Sequence, residues 1–345
     1  MAKFSLKNDY SEGCHPRILE TLGKTNLKQE IGYGEDEYSK KAIQLIRRKL
    51  NNPKASIHFA SGGTQVNLIV ISSILKPYES VVSATIGHIA THEAGAIEAT
   101  GHKINTIETK DGKLTPQLIK PVLDFHSDEH MVKPRLVFIS NSTEVGSVYT
   151  KSELKRLSDF CKKNNLLLYL DGARLGSALT SKQNDLTLAD ISKLVDIFYI
   201  GGTKNGALLG EAIIISNDKL KDLKEEFRFH LKQRGALLAK GRILGIQFLE
   251  LFKDDLFFKL GKHANLMALK LAKGIKDAGY DFLTKPVSNQ IFPIFPKKVF
   301  AKMSRKYDFY AWQETKGKKI VSRLVTSWAT KESDINKFIS ELKKR

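Results

Sequence analysis

The chain of 345 residues is 41% hydrophobic and 27% charged, with a formal net charge of +19, so it can bury a sizeable core and is long enough for two domains. No stretch reaches the roughly 18 uninterrupted apolar residues of a membrane-spanning helix, and the start of the sequence lacks the apolar run of a signal peptide. Cys14 and Cys161 stand far apart, form no metal motif and suit a reducing compartment, so the expectation is a cytoplasmic protein.

Residues 38–50 carry apolar side chains at helical spacing and stop at Asn51-Asn52-Pro53. Ile57-His58-Phe59 reads as a strand entering Ser61-Gly62-Gly63-Thr64, and a helix follows over 65–75, ending before Pro77. Apolar or β-branched runs come next at 80–84, 103–108, 136–140, 166–170, 197–201 and 212–216. Polar helical segments separate several of them, notably 151–163. Apolar strands alternating with helices predict a mostly parallel sheet covered on both faces. After about residue 250 the pattern changes to a long helix over 256–278, short strands at 289–295 and 320–327, and a last helix from Ser333. The expected organisation is a large α/β domain over 1–250 and a small α+β domain over 251–345.

In such a sheet, ligands bind beyond the C-terminal ends of the strands. Three strand ends there carry chemistry. Ser61-Gly62-Gly63-Thr64 places small residues before a helix, where free N–H groups and the helix dipole attract a phosphate; the plainer alternative is a tight turn capped by Thr64. Asp171-Gly172-Ala173-Arg174 ends an apolar strand in a carboxylate that can meet a cationic ligand nitrogen or pair with Arg174. Lys204 lies between glycine turns in Gly201-Gly202-Thr203-Lys204-Asn205-Gly206. A lysine that captures a carbonyl must be neutral, so its surroundings must lower its pKa from about 10.4. Alone, Lys204 reads as a solvated surface residue; in this order the three form a specific pattern.

That order, a phosphate site, a strand-terminal aspartate and a lysine about thirty residues on, resembles the fold-type-I pyridoxal-phosphate enzymes. Further segments resemble the threonine aldolase branch of the β-eliminating lyases: Asn8-Asp9-Tyr10-Ser11, Gly32-Tyr33-Gly34-Glu35-Asp36, Gly63-Thr64-Gln65-Val66-Asn67-Leu68, His88 with Glu93-Ala94-Gly95, Asp171-Gly172-Ala173-Arg174, and Arg323-Leu324-Val325-Thr326. The resemblance implies pyridoxal 5'-phosphate bound to Lys204 as a Schiff base, Asp171 on the pyridine nitrogen, and His88 stacked on the ring as a proton-transfer candidate. It further implies Gly62, Gly63 and Thr64 on the phosphate, and Arg174 and Arg323 on the substrate carboxylate. Asn8 is a further carboxylate contact, and Tyr33 lines the site, from the neighbouring subunit of a homo-oligomer. The implied reaction is retro-aldol cleavage of a 3-hydroxy amino acid such as threonine; β-elimination and transamination use the same cofactor residues.

One segment departs from the family pattern. Asn141-Ser142-Thr143-Glu144 carries Glu144 where family members place a histidine against the substrate hydroxyl. A carboxylate there remains a candidate base, but it changes the charge that the substrate side chain meets. His88 and His92 have helical metal-ligand spacing without an evident third ligand, and no metal is assigned. The basic loop 232–242 corresponds to a region that in the family lies near a partner's phosphate. The net charge itself is read as lysine-rich composition rather than nucleic-acid binding. Its clusters, at 47–49, 316–319 and 343–345, are short and not interleaved with aromatic residues.

Overall fold

The computed structural model describes residues 3–315 and 317–344; Met1 and Ala2, and with them Lys316 and Arg345 of the basic clusters, lie outside the described residues. A short strand β1 (Phe4–Ser5) opens the chain. Seven strands form the central sheet: β2 (Ser56–Ala60), β3 (Glu79–Ala84), β4 (Ile104–Ile107), β5 (Lys133–Ser140), β6 (Leu167–Asp171), β7 (Ile197–Gly201) and β8 (Glu211–Ile215). Their order across the sheet is β2-β8-β7-β6-β5-β3-β4. β8 alone runs against its two neighbours; the other pairings are parallel.

The strands are apolar on both faces because both faces are covered. Val137, Leu168, Leu170, Phe198, Ile200 and Ile214 enter one core. Leu136, Phe138, Tyr169, Ile197, Tyr199 and Ile213 alternate with them and enter the other. The helices that cover these cores have readable ends. Asp36 caps the helix Glu37–Leu50 through the Ser39 N–H at 2.8 Å, and Asn51 closes it in the left-handed conformation at φ 48°. Thr150 and Glu153 form a capping box at the start of Lys151–Lys163, whose buried Leu154, Leu157, Ser158 and Cys161 form one stripe.

Beyond the large sheet, β9 (Gln290–Ile291), β10 (Ile294–Pro296), β11 (Tyr307–Asp308), β12 (Tyr310–Glu314) and β13 (Lys319–Val325) build smaller sheets. β13 is central, flanked by β10 and β12, and pairs with β9 at its far end. The expected strand over 289–295 is split in two at Phe292-Pro293, since proline has no N–H for a ladder. A third core holds Met267, Leu271, Phe295, Leu324 and Phe338, and it also takes Leu6 from the N-terminal arm. That arm is bound by backbone to the C-terminal sheets: β1 pairs with β11, and the Val325 N–H donates to Leu6 at 2.8 Å. The helix Leu256–Asp277 gives Leu256, Phe257 and Leu260 to a large-sheet core and Met267, Ala268 and Leu271 to the third.

Candidate active site

The C-terminal ends of β6 and β7 carry the centre of the site. At the end of β6 the buried Asp171 is held by three donors: Tyr199 Oη at 2.5 Å, the Ala173 N–H at 2.9 Å and Asn67 Nδ2 at 3.3 Å. Tyr199 stands on the next strand, and its side chain shares a face with Tyr169. Gly172 permits this close approach, because a Cβ there would lie 1.8 Å from the Tyr199 carbonyl oxygen. One edge of Asp171 remains toward the cavity, which it lines.

Lys204 follows β7 in a turn fixed at several points. Gly202 N–H donates to the Gly210 carbonyl at 2.9 Å and to Glu211 Oε2 at 3.0 Å. Asn205 anchors the far side through Phe257 O at 2.8 Å, and Gly206, at φ 95°, lets the chain turn away. Lys204 Nζ has no hydrogen-bond or ion-pair partner among the described residues and faces two adjoining cavities of about 310 and 440 Å³. Burial lowers its pKa, and the Arg174 charge lowers it further, against the pull of Asp9, Asp171 and Glu144. A larger neutral fraction is what an attacking amine requires.

The smaller cavity runs from Asp171 to the segment Ser61-Gly62-Gly63-Thr64. The helix Gly63–Ile74 begins there with Gly62 at its N-cap and no side chain bonded to its first turn. The reading of Thr64 as the cap therefore fails, since Thr64 is already helical. The unfilled N–H groups remain available to an anion. Gly63 is part of the wall, because a Cβ there would stand 3.0 Å from Tyr199 Oη.

His88, half-buried at the start of a short helix, lines both cavities. Its Nδ1 donates to Glu93 Oε1 at 2.7 Å, and Asn67 Nδ2 donates to the same oxygen at 2.6 Å. Asn67 in turn accepts from Tyr169 Oη at 2.7 Å, so one buried network joins His88 to Asp171. Burial disfavours the imidazolium, but the Glu93 hydrogen bond, with Asp171 and Glu144 nearby, outweighs it and raises the His88 pKa. His92 lies outside this network, its ring tilted against His88 at 5.5 Å.

The larger cavity is lined by Glu144, Arg174, Arg323, His92, Tyr310 and Trp312. Glu144 has one long contact, with Ser140 Oγ at 3.5 Å, and otherwise faces open space. Arg174 does not pair with Asp171. Its Nε and Nη2 meet the two oxygens of Asp9 at 2.7 and 3.0 Å. Arg323 meets Gln290 instead, with Nε at 3.2 Å and Nη2 at 2.7 Å from Oε1.

Two expected residues are not brought to this cavity by the chain itself. Asn8 closes a local turn, accepting from the Tyr10 N–H at 3.0 Å and Ser11 Oγ at 2.9 Å. Its neighbours Asp9 and Tyr10 approach the cavity in its place. Tyr33 lines a separate depression, half-exposed, with Lys232 Nζ 4.8 Å above its ring. Sequence reasoning missed Asp9, Asn67, Tyr199 and Gln290. Asn67 had a usable signal, since it lies one helical turn after Gly63 and on the same helix face.

The arrangement fits pyridoxal phosphate. A partnerless lysine stands between an uncapped helix start and a strand-terminal carboxylate, and the buried Ser142 Oγ, without a partner, lines the same cavity. On this fold such a site defines a fold-type-I pyridoxal-phosphate enzyme. The fold alone is shared even with distant members: a mutant aspartate aminotransferase of Thermus thermophilus, 12% identical, superimposes with a TM-score of 0.73 over 99% of this chain and 91% of that one. Residues 15–295 match the beta-eliminating lyase family, and the chain belongs to it, in its threonine aldolase branch. A low specificity L-threonine aldolase of Pseudomonas sp. (strain NCIMB 10558) is 33% identical over 97% of this chain and 96% of that protein. The solved structure of Leishmania major threonine aldolase is 50% identical, with a TM-score of 0.96 over 99% of both chains.

Proposed function

We propose that the enzyme cleaves a 3-hydroxy amino acid such as threonine, between Cα and Cβ, to glycine and an aldehyde. The observation that carries this reading is the meeting of Lys204, Asp171, Glu144 and two arginines around adjoining cavities. Bound pyridoxal phosphate supplies an electron sink for the pair left on Cα when that bond breaks.

The chain's own residues do the rest. Lys204 holds the cofactor through Nζ. Asp171, oriented by Tyr199, Asn67 and the Ala173 N–H, pairs with the ring nitrogen and keeps it protonated. Gly62, Gly63 and Thr64 hold the phosphate at the helix start. His88, which lines both cavities, would meet the cofactor ring there. Arg174 and Arg323 take the substrate carboxylate, and planar donors suit that task. Their grip would fix the orientation of the substrate at Cα. Glu144 accepts the proton of the β-hydroxyl. His88 is the other candidate, through Nε2, since its Nδ1 donates to Glu93; the Glu144 carboxylate is almost free of partners.

Tyr33 and a basic residue of 232–242 reach the site of a second subunit. The support is a patch of exposed Leu27, Ile31, Tyr33 and Phe229 on segments tied together by Arg228 to Tyr33 O and Arg242 to Lys28 O. Such a patch marks an interface. The two free, buried cysteines support a cytoplasmic location. Incubation of the purified holoenzyme with L-threonine tests the reaction. Equal amounts of glycine and acetaldehyde are expected; a keto acid with ammonia would replace the aldol reading with elimination.

A further inference from the structure

We propose that the two arginines of the larger cavity divide their work because they are backed differently. Arg323, backed by the neutral Gln290, supplies the net positive charge that draws the substrate carboxylate. Arg174, neutralised by Asp9, fixes that carboxylate's direction. Asp9 and Gln290 are thus positioning residues for substrate. The inference rests on the reading of both arginines as carboxylate ligands.

The geometry is asymmetric at each step. Arg174 and Asp9 form a buried two-point pair at 2.7 and 3.0 Å, and Asn289 Nδ2 adds a third contact to Asp9 Oδ2 at 2.9 Å. Two of the guanidinium's nitrogens are spent on an anion, and Nη1 is left. The pair as a whole is neutral, so it offers direction with little net attraction. Arg323 directs the same two nitrogens, Nε and Nη2, at a single oxygen of an uncharged amide. The orientation of that amide follows from its other end, because Gln290 Nε2 donates to Thr143 O at 3.2 Å. Arg323 therefore keeps its full charge beside the cavity. Burial, and then the Arg174 charge, lower its pKa to about 10 against the pull of Asp9 and Glu144, which leaves it protonated at neutral pH with no anion bonded to it among the described residues.

The placement of the pairs in the fold sharpens the division. The arm that carries Asp9 is strapped to the C-terminal sheets at Leu6, through Asp308 O and the Val325 N–H, both at 2.8 Å. Arg323 lies on that same strand β13. Arg174 instead precedes a helix after β6. Asp9 is the contact that sets Arg174 relative to Arg323.

The test uses the holoenzyme and two readouts: the change in near-visible absorbance on titration with glycine, and the steady-state kinetics with threonine. Gln290→Glu gives Arg323 an anionic backing like that of Arg174. It is expected to weaken glycine binding and raise KM about tenfold with little change in kcat, a change worth about 1.4 kcal/mol. Asp9→Asn removes the charge behind Arg174 but keeps the side-chain shape. Glycine affinity should hold or rise, while kcat falls about tenfold as orientation is lost. Asp9→Glu, which keeps the charge, should restore part of that kcat. Unchanged glycine affinity in Gln290→Glu overturns the charge assignment. Weaker glycine binding with full kcat in Asp9→Asn overturns the positioning role. Arg323→Gln separates the inference from its premise: if it binds glycine as the unmodified enzyme does, the carboxylate reading itself fails.

Discussion

Asp171 and Lys204, the centre of the cofactor end, hang from neighbouring strands of one sheet, whereas the substrate end also draws on the N-terminal arm and on β13. Asp171 and Tyr199 belong to adjacent strands whose backbone positions are fixed by the ladder, and Lys204 leaves the second of them in a pinned turn. At the other end Asp9 comes from the N-terminal arm, Glu144 from the loop after β5, Arg174 from the segment after β6, and Arg323 from β13. The first end cannot change without disturbing a core that is filled on both faces. The second can be varied one loop at a time. Such a division would let one fold keep its cofactor chemistry while the residues that meet the substrate vary.

The comparison breaks if substitutions at the two ends act alike. Asp171→Ala should reduce turnover about 10³-fold, because the ring nitrogen loses its buried anion. It should also weaken cofactor retention, read as absorbance after dialysis; full retention with full turnover would overturn the proposed role of Asp171. Glu144→Gln should lower kcat on the order of 10²-fold with the cofactor retained. Unchanged kcat there would remove Glu144 as the base.

A smaller effect concerns Glu211, buried beside the Lys204 turn. Burial pushes its carboxyl up to about 8, against the Thr203 hydrogen bond, the Lys204 charge and the Gly202 N–H. A carboxyl whose folded pKa exceeds its unfolded value of about 4.3 holds its proton more tightly in the folded chain. Its contribution is most favourable below the unfolded value and is lost as the pH rises through the folded one. Glu211→Gln should therefore flatten the fall in melting temperature between pH ~5 and ~8. An unchanged slope would mean that the carboxyl is not held protonated. The smallest effect belongs to Asn8. With its carboxamide spent on a local turn, Asn8→Ala should change KM for threonine by less than about twofold. A tenfold rise in KM would place Asn8 on the carboxylate after all.

The same contrast decides what was legible in the sequence. Strands buried on both faces read as apolar runs, so β3 to β8 fall near their expected positions, with Asp171 as the last residue of β6 and Lys204 three residues beyond β7. The pairs Arg174–Asp9 and Arg323–Gln290 span separations of 165 and 33 residues and leave no local mark. β12 was not legible either, because four of its five residues, Tyr310, Ala311, Gln313 and Glu314, are exposed and carry no apolar alternation. Tyr199 looked like one more core aromatic; its hydroxyl acquires a role only because β7 lies against β6.

Borohydride reduction of the purified holoenzyme is the decisive test of whether Lys204 carries the cofactor. The expected result is a near-visible absorbance band that reduction abolishes, with a stable phosphopyridoxyl group on the peptide containing Lys204, and neither band nor label in Lys204→Ala. A label on another lysine, or an unaltered band in Lys204→Ala, would contradict it.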